Sequence, residues 1–283
     1  MVEQRPFVTF LTHLVLVLGV IAIALPVWIT FVAASHDEIR MVQTPLPLWP
    51  GTHLWENLTQ TLFGTGLSGT QTAPVWLMLT NSLAMAMMIA VGKIAISLLS
   101  AFAIVYFKFP FRMACFWLIF ITLMLPVEVR ILPTFEVVAN LGMLNSYWGL
   151  SIPLIASATA TFMFRQVFLT IPDEMLESAR IDGAGPMRFF WDILLPLSRT
   201  NIAALFVILF IYGWNQYLWP LLITTDPSMT TIVMSIKQML EAAEQSPQWN
   251  IIMMTALLAM LPPILVVIAM QKLFVQGLTE TDK

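Results

Sequence analysis

Lys93 is the first residue whose type and setting could do chemistry, because it is the sole charge in the apolar run from Trp76 to Tyr106. A charge at the centre of a bilayer-length run costs about 2.5 to 3.5 kcal/mol on insertion scales, so it should face protein or water. A cation there suits an anionic small molecule; a lysine that reaches an interface or a carbonyl is the structural alternative. Asn81, Asn215 and Gln216 also fall in apolar runs. They can hydrogen-bond a polyol or bridge helices, the latter contributing about 0.6 to 2 kcal/mol. Glu128 and Arg130 follow Pro126 and can pair with each other or meet another protein, an exposed pair contributing about 0 to 1 kcal/mol.

Catalysis finds no support among these residues. His13, His36 and His53 are scattered without metal-ligand spacing. The pair Gly92 and Lys93 stands alone, without the glycine-rich surroundings of a nucleotide-phosphate loop. No nucleophile has a base at a meaningful spacing, so no metal and no catalytic set are assigned. Cys115 is the single cysteine, which rules out an internal disulfide; a packed, inert thiol is expected.

The elements that must position the polar residues are hydrophobic helices. Of 283 residues, 59% are hydrophobic and 10% charged, with a mean hydropathy of +0.84, too little polar surface to cover a soluble globule. Apolar runs of about 20 residues, each long enough to cross a hydrocarbon core of about 30 Å, recur along the chain. Backbone groups in lipid must bond within their own segment, which makes those runs helices. Six spans are expected, at about 10–34, 76–106, 114–139, 147–169, 201–224 and 251–274, within a single transmembrane domain over 1–283. The fold class is therefore an all-α integral membrane protein with lipid around it. The first run is too long and uniformly apolar for a signal-peptide core and is read as a retained span, cleavage near Ala33, Ala34 and Ser35 being the alternative. Pro26, Pro126, Pro153, Pro220 and the pair Pro262 and Pro263 lie within spans and should kink or break them.

Loop cations give the orientation. One side carries Arg5, Lys108, Arg112, Arg165, Arg180, Arg188, Arg199, Lys272 and Lys283, the other Arg40, Arg130 and Lys237. Both termini are thus expected in the cytoplasm. The outer face receives loops at 35–75 and 225–250, the second holding Ile232, Ile236, Met239 and Leu240 at helical spacing, the pattern of an interfacial amphipathic helix. A net charge of −3 with no basic stripe or cluster argues against a nucleic-acid partner.

The longest polar insertion on the cytoplasmic side, residues 171–198, reads as two short helices. Pro172 with Asp173 and Glu174 is a helix start, and Gly183, Gly185 and Pro186 form a stop before a second helix from Met187 to Leu195. Met175, Leu176 and Ala179 share a face that can enter a groove. Arg188, Phe189, Phe190 and Trp191 can lie against the membrane or the same partner.

This segment resembles the coupling loop of ATP-binding-cassette import permeases, whose pattern is Glu-Ala-Ala, then Gly, then Ile-x-Leu-Pro. Glu177, Ala179, Gly183, Ile193, Leu195 and Pro196 fit that spacing, and Ser178 stands for the middle alanine. Glu241, Ala242 and Ala243 spell the triplet literally, but Pro247 falls where the glycine should be and the segment is on the outer side. Residues 101–110, 119–130 and 212–221 extend the resemblance to carbohydrate-uptake, binding-protein-dependent permeases over nearly the whole chain.

The resemblance implies a type I importer permease fold, with Glu177, Ser178, Ala179, Asp182, Gly183, Ile193, Leu195 and Pro196 coupling the chain to a motor. It implies as partners a homologous permease, two copies of a cytoplasmic ATPase subunit and a periplasmic substrate-binding protein, in a bacterial inner membrane. The chain would bind no cofactor, ATP and Mg residing on the ATPase, and would not be an enzyme. Permeases of sn-glycerol 3-phosphate importers resemble it in particular, which implies that ester and glycerophosphodiesters as cargo. Lys93, Asn215, Gln216 and Asn81 are the candidates for the path. A sugar or oligosaccharide permease is the alternative, and an ion-coupled secondary transporter the remote one, since the spans hold hardly any acidic or histidine relay.

Overall fold

The computed structural model describes the backbone of residues 6–64, 73–122, 127–243 and 248–279, and the side chains of all of these except residues 6, 127, 128 and 272–279. Arg5, Pro126, Pro247, Lys283 and the side chains of Glu128 and Lys272 lie outside that description. The described residues are helices and connecting turns with no strand.

In chain order, α1 (Pro6–Ala34) is followed by the short α2 (Glu38–Met41) and α3 (Leu54–Phe63), then by α4 (Val75–Tyr106). Next come α5 (Arg112–Ile121), α6 (Val127–Asn140), α7 (Tyr147–Ile155) and α8 (Ala158–Leu169). The 171–198 segment holds α9 (Asp173–Ile181), α10 (Pro186–Phe189), a π-helical turn at Phe190–Leu194 and α11 (Leu195–Leu197). The chain continues through α12 (Arg199–Trp214), α13 (Leu218–Ile223), α14 (Ile232–Ala242) and α15 (Trp249–Thr279).

Three of the described helices are long and apolar enough to cross a membrane alone, at Phe7–Ala34, Val75–Tyr106 and Trp249–Gln271. Two bent pairs reach span length together: α7 with α8, bent by 50°, and α10–α11 with α12, bent by 73°. The expected span at 114–139 is met by α5 and α6, and residues 123–126 between them lie outside the described set. Prolines do not predict where helices break. Pro26 and the pair Pro262 and Pro263 sit inside continuous helices, whereas breaks fall at 156–157, at 198 and at 215–217.

Contacts group the chain into two compact units, Met1–Leu77 with Ser235–Leu261, and Met78–Met234 with Pro262–Lys283. In the first, α1 is apolar on every face and almost wholly exposed, 6% of its best window being buried, so lipid or another chain must cover it. Its C-terminal carbonyls are capped. Asn57 Nδ2 donates to Ala34 O at 2.8 Å and His36 O at 2.7 Å, and its Oδ1 accepts from Asn250 Nδ2 at 3.0 Å. Ser35 Oγ accepts the Gly51 N–H at 2.7 Å. The 35–75 segment is thus folded back on the helix end rather than loose where described.

The second unit is built around α4. Met85, Ile89, Val138, Leu150, Leu154, Trp219 and Ile223 form one buried apolar cluster. Gly213 of α12 packs so closely on α4 that a Cβ would stand 3.0 Å from Ala86 Cα, the small-residue approach by which membrane helices gain van der Waals contact. In α7, Pro153 has no N–H to give the Gly149 carbonyl one turn back, and the indole Nε1 of Trp219 donates to that carbonyl instead, at 3.1 Å.

Two sequence expectations change here. Of the four apolar residues of α14 expected at a membrane surface, Ile232 and Met239 are buried in protein and Ile236 is half-buried, while Leu240 remains exposed. Cys115 is exposed on α5 rather than packed.

Candidate functional site

The 171–198 segment owes its shape to a helix stop and a π turn. At the end of α9 the Ala184 N–H donates to Ala179 O at 2.8 Å and the Gly183 N–H to Arg180 O at 3.1 Å. This paired closure, a Schellman motif, requires a left-handed residue, and Gly183 supplies it at φ +75°. Further on, the Leu195 N–H reaches back five residues to Phe190 O, and Pro196, with no N–H, takes the next position. The chain then turns by 73° at Ser198 into α12.

What this segment shows and what it buries differ by residue. Glu177, Ser178, Asp182, Gly183 and Pro196 are exposed, Ile193 and Leu195 half-buried, and Ala179 buried. Among the described residues the Glu177 carboxylate has no hydrogen bond or ion pair. Ile181 is 86% exposed, and Met175, Met187 and Trp191 are exposed beside it, leaving apolar surface on the outer side of the hairpin. Arg188 and Asp192, both exposed, pair at 3.4 Å.

Sequence reasoning left Phe189 and Phe190 for a membrane or a partner; both are buried against α4. Phe190 lies 5.0 Å from Phe102 and Phe189 5.2 Å from Tyr106, ring centroid to centroid. Tyr106 also meets Phe168 of α8 at 6.2 Å and donates its hydroxyl to Phe168 O at 3.3 Å. Only the alternation of a buried pair with exposed Arg188 and Trp191 could have signalled this.

The other end of α4 is braced by Asn81. Its Nδ2 donates to Ser228 O at 2.8 Å and Thr230 O at 3.0 Å, and its Oδ1 accepts the Tyr147 hydroxyl at 2.6 Å. With both amide hydrogens and the oxygen engaged, and the residue fully buried, Asn81 bridges segments and lines neither of the cavities around Arg130.

Lys93 does face one. Its side chain is 6% exposed, its Nζ stands 3.8 Å above the centroid of the Tyr212 ring, and it lines a cavity of about 530 Å³ together with Arg130, Ser157, Thr161 and Tyr212. Arg130 and Tyr212 also line an adjoining cavity of about 260 Å³ with Thr134, Gln216 and Trp219. Gln216 donates to Tyr212 O at 3.1 Å, while the exposed Asn215 ends α12 and does not line either cavity. Arg130 is the residue sequence reasoning missed, having been paired in prospect with Glu128. The break between α7 and α8 opens onto the larger cavity. Ser157 caps α8 by accepting the Ala160 N–H at 3.3 Å, and Thr161 Oγ1 ties the break to α4 through Ser97 Oγ at 3.2 Å. No group of three or more His, Cys, Asp or Glu side chains able to hold a metal occurs among the described residues.

Known proteins resemble this chain along its full length. It is 58% identical to the sn-glycerol-3-phosphate transport system permease protein UgpE of Brucella melitensis, over 283 residues and all of both chains. It is 57% identical, again over all of both chains, to the proteins of that name from Yersinia enterocolitica and Agrobacterium fabrum. A solved bacterial ABC transporter involved in the import of the acidic polysaccharide alginate superposes with a TM-score of 0.79 at 17% identity, covering 96% of this chain and 98% of that one. The fold is therefore that of an ABC importer permease, in a multi-pass protein of the bacterial inner membrane. The family model for binding-protein-dependent transport system inner membrane components matches residues 93–280, and the chain belongs to that family.

Proposed function

We propose that this chain is the permease subunit of an importer for sn-glycerol 3-phosphate, and for glycerophosphodiesters. The observation that carries this reading is identity of 56% to 58%, end to end, with relatives named as permeases of that transport system. The chain pairs with a homologous permease, is fed by a periplasmic binding protein, and is driven by ATP hydrolysed on two copies of a cytoplasmic ATPase subunit. It crosses the membrane six times with both termini in the cytoplasm. In support of that topology, Asn81 at one end of α4 is bonded to residues 228 and 230, in a loop assigned outside by charge, and to Tyr147 at the start of a span. The other end meets Phe189 and Phe190, assigned inside.

The 171–198 segment is the coupling loop. Glu177, Ser178, Asp182, Gly183 and the exposed Ile181 face the ATPase, while Ala179, Ile193, Leu195 and Pro196 shape the hairpin that presents them. A shift at the ATPase is carried to α8 and α12, which flank the loop, and through Phe189 and Phe190 to α4, tilting spans about the cavities. The test is uptake of labelled sn-glycerol 3-phosphate into vesicles holding the complete complex, competed with glycerophosphodiesters and maltose-type sugars. ATP-dependent uptake inhibited by the diesters supports the reading. Indifference to glycerol phosphate would leave a sugar permease, and uptake driven by an ion gradient without ATP would make it a secondary transporter.

A further inference from the structure

We propose that the cavity bounded by Lys93, Arg130, Tyr212 and the first turn of α8 is a phosphate subsite, which holds the anionic end of the cargo within the membrane. The proposal deepens the cargo reading above and rests on it.

Two cations from different helices converge on one cavity, and among the described residues lining it or its neighbour none is acidic. Like charges facing the same space repel, and an anion between them relieves both that repulsion and the desolvation of the buried Lys93. Lys93 is the more telling of the two. It is 94% buried, the complement of its 6% exposure, and among the described residues its ammonium has no carboxylate or carbonyl partner. Its one contact is the face of Tyr212 at 3.8 Å, a cation–π contact weaker than an ion pair and readily exchanged for a phosphate oxygen.

The twelve-residue α8 adds a third positive element. Ser157 satisfies the Ala160 N–H, and Thr161 N–H bonds Ser157 O at 3.2 Å. The N–H groups of Ala158 and Thr159, which line the cavity, are first-turn donors with no helical carbonyl to receive them. The partial positive charge of a helix start favours an anion at that position. Ser97 and Thr161 hold the break in place and so act as positioning residues. The adjoining cavity, which shares Arg130 and Tyr212, offers Gln216 and Thr134, groups suited to the hydroxyls of a glycerol moiety. The two cavities thus match a molecule with a phosphate at one end and a polyol at the other.

The experiment compares the complete complex in vesicles carrying wild-type chain, Lys93→Gln, Arg130→Gln or Arg130→Lys. Uptake is measured for sn-glycerol 3-phosphate, whose second phosphate proton is lost near pH 6, and for a glycerophosphodiester, which keeps a single negative charge. Losing one charge-assisted contact predicts a fall in monoester uptake of about tenfold or more. Diester uptake should fall by less, and Arg130→Lys should retain most of both. ATP hydrolysis stimulated by the loaded binding protein reports assembly. If Lys93→Gln does not assemble, Arg130→Gln, altered at an exposed side chain, carries the test. Unchanged monoester uptake in Arg130→Gln, or the same proportional loss for both cargoes, would overturn the subsite. A wild-type complex that carries neither cargo overturns the cargo reading and the subsite with it, and does so before any substitution is made.

Discussion

The ring of Phe189 meets the ring of Tyr106 edge-on, 5.2 Å from centroid to centroid, at an interplanar angle of 68°. One residue belongs to the 171–198 hairpin and the other ends the 32-residue α4, whose opposite half holds Asn81 and whose middle holds Lys93. A helix of that length rises about 48 Å, so a displacement at one end is carried beyond the hydrocarbon core to the other. The hairpin is therefore fastened to a third transmembrane helix as well as to the two that flank it in sequence.

That fastening predicts uncoupling. Replacing the buried Phe189 with alanine removes a large side chain from a packed site, a change that costs about 3 to 5 kcal/mol in protein cores. Phe189→Ala complexes should hydrolyse ATP in response to loaded binding protein while importing several-fold less cargo per ATP. Paired measurements of hydrolysis and uptake in the same vesicles check this; an unchanged ratio would mean that the ring contact carries no motion.

A second expectation concerns Trp219. Its indole N–H satisfies the Gly149 carbonyl that Pro153 cannot reach, and both residues are buried. Trp219→Phe keeps most of the apolar volume and leaves the carbonyl without a donor, at a cost of about 1 to 3 kcal/mol. The detergent-solubilised variant should unfold at lower temperature than wild type, and the double variant Trp219→Phe with Pro153→Ala should recover part of the loss, because alanine restores the missing N–H.

Asn81 allows a sharper contrast. Its amide hydrogens point at two carbonyl oxygens. Asn81→Asp would set a carboxylate oxygen against both, so it should destabilise more than Asn81→Ala despite its closer shape. Folded yield after extraction, compared across the two variants, measures the difference; an aspartate that is the better tolerated would contradict the bracing role.

Local signals made part of this molecule legible in the sequence. Pro172, Asp173 and Glu174 start α9 and Gly183 stops it because caps act within a few residues, and long apolar runs become helices wherever backbone groups have no water. What was not legible depends on distant partners. Pro153 comes just before a break and Pro26 lies in a continuous helix, and nothing in the flanking sequence reveals that the Trp219 indole takes up the carbonyl that Pro153 leaves free. Arg130 and Lys93 stand 37 positions apart by their numbers, so only packing brings them to one cavity. Phe189 and Phe190 read as suited to the membrane or a partner, and the protein itself covers them, since apolar area alone does not name what covers it.

The proposed grip of a separate ATPase on the hairpin around Gly183 is isolated by one substitution. A Cβ at Gly183 would meet no heavy atom of the described residues within 4 Å beyond its chain neighbours, and the left-handed backbone costs a non-glycine residue about 1 to 2 kcal/mol, less for aspartate, which visits that region. Gly183→Asp should therefore insert and fold, and any large loss of function must come from outside the chain. The measurement is ATP-driven uptake by vesicles holding the Gly183→Asp complex, with the amount of inserted chain determined alongside. Abolished uptake at wild-type levels of insertion is the predicted result; wild-type uptake would mean that no ATPase grips the hairpin at Gly183.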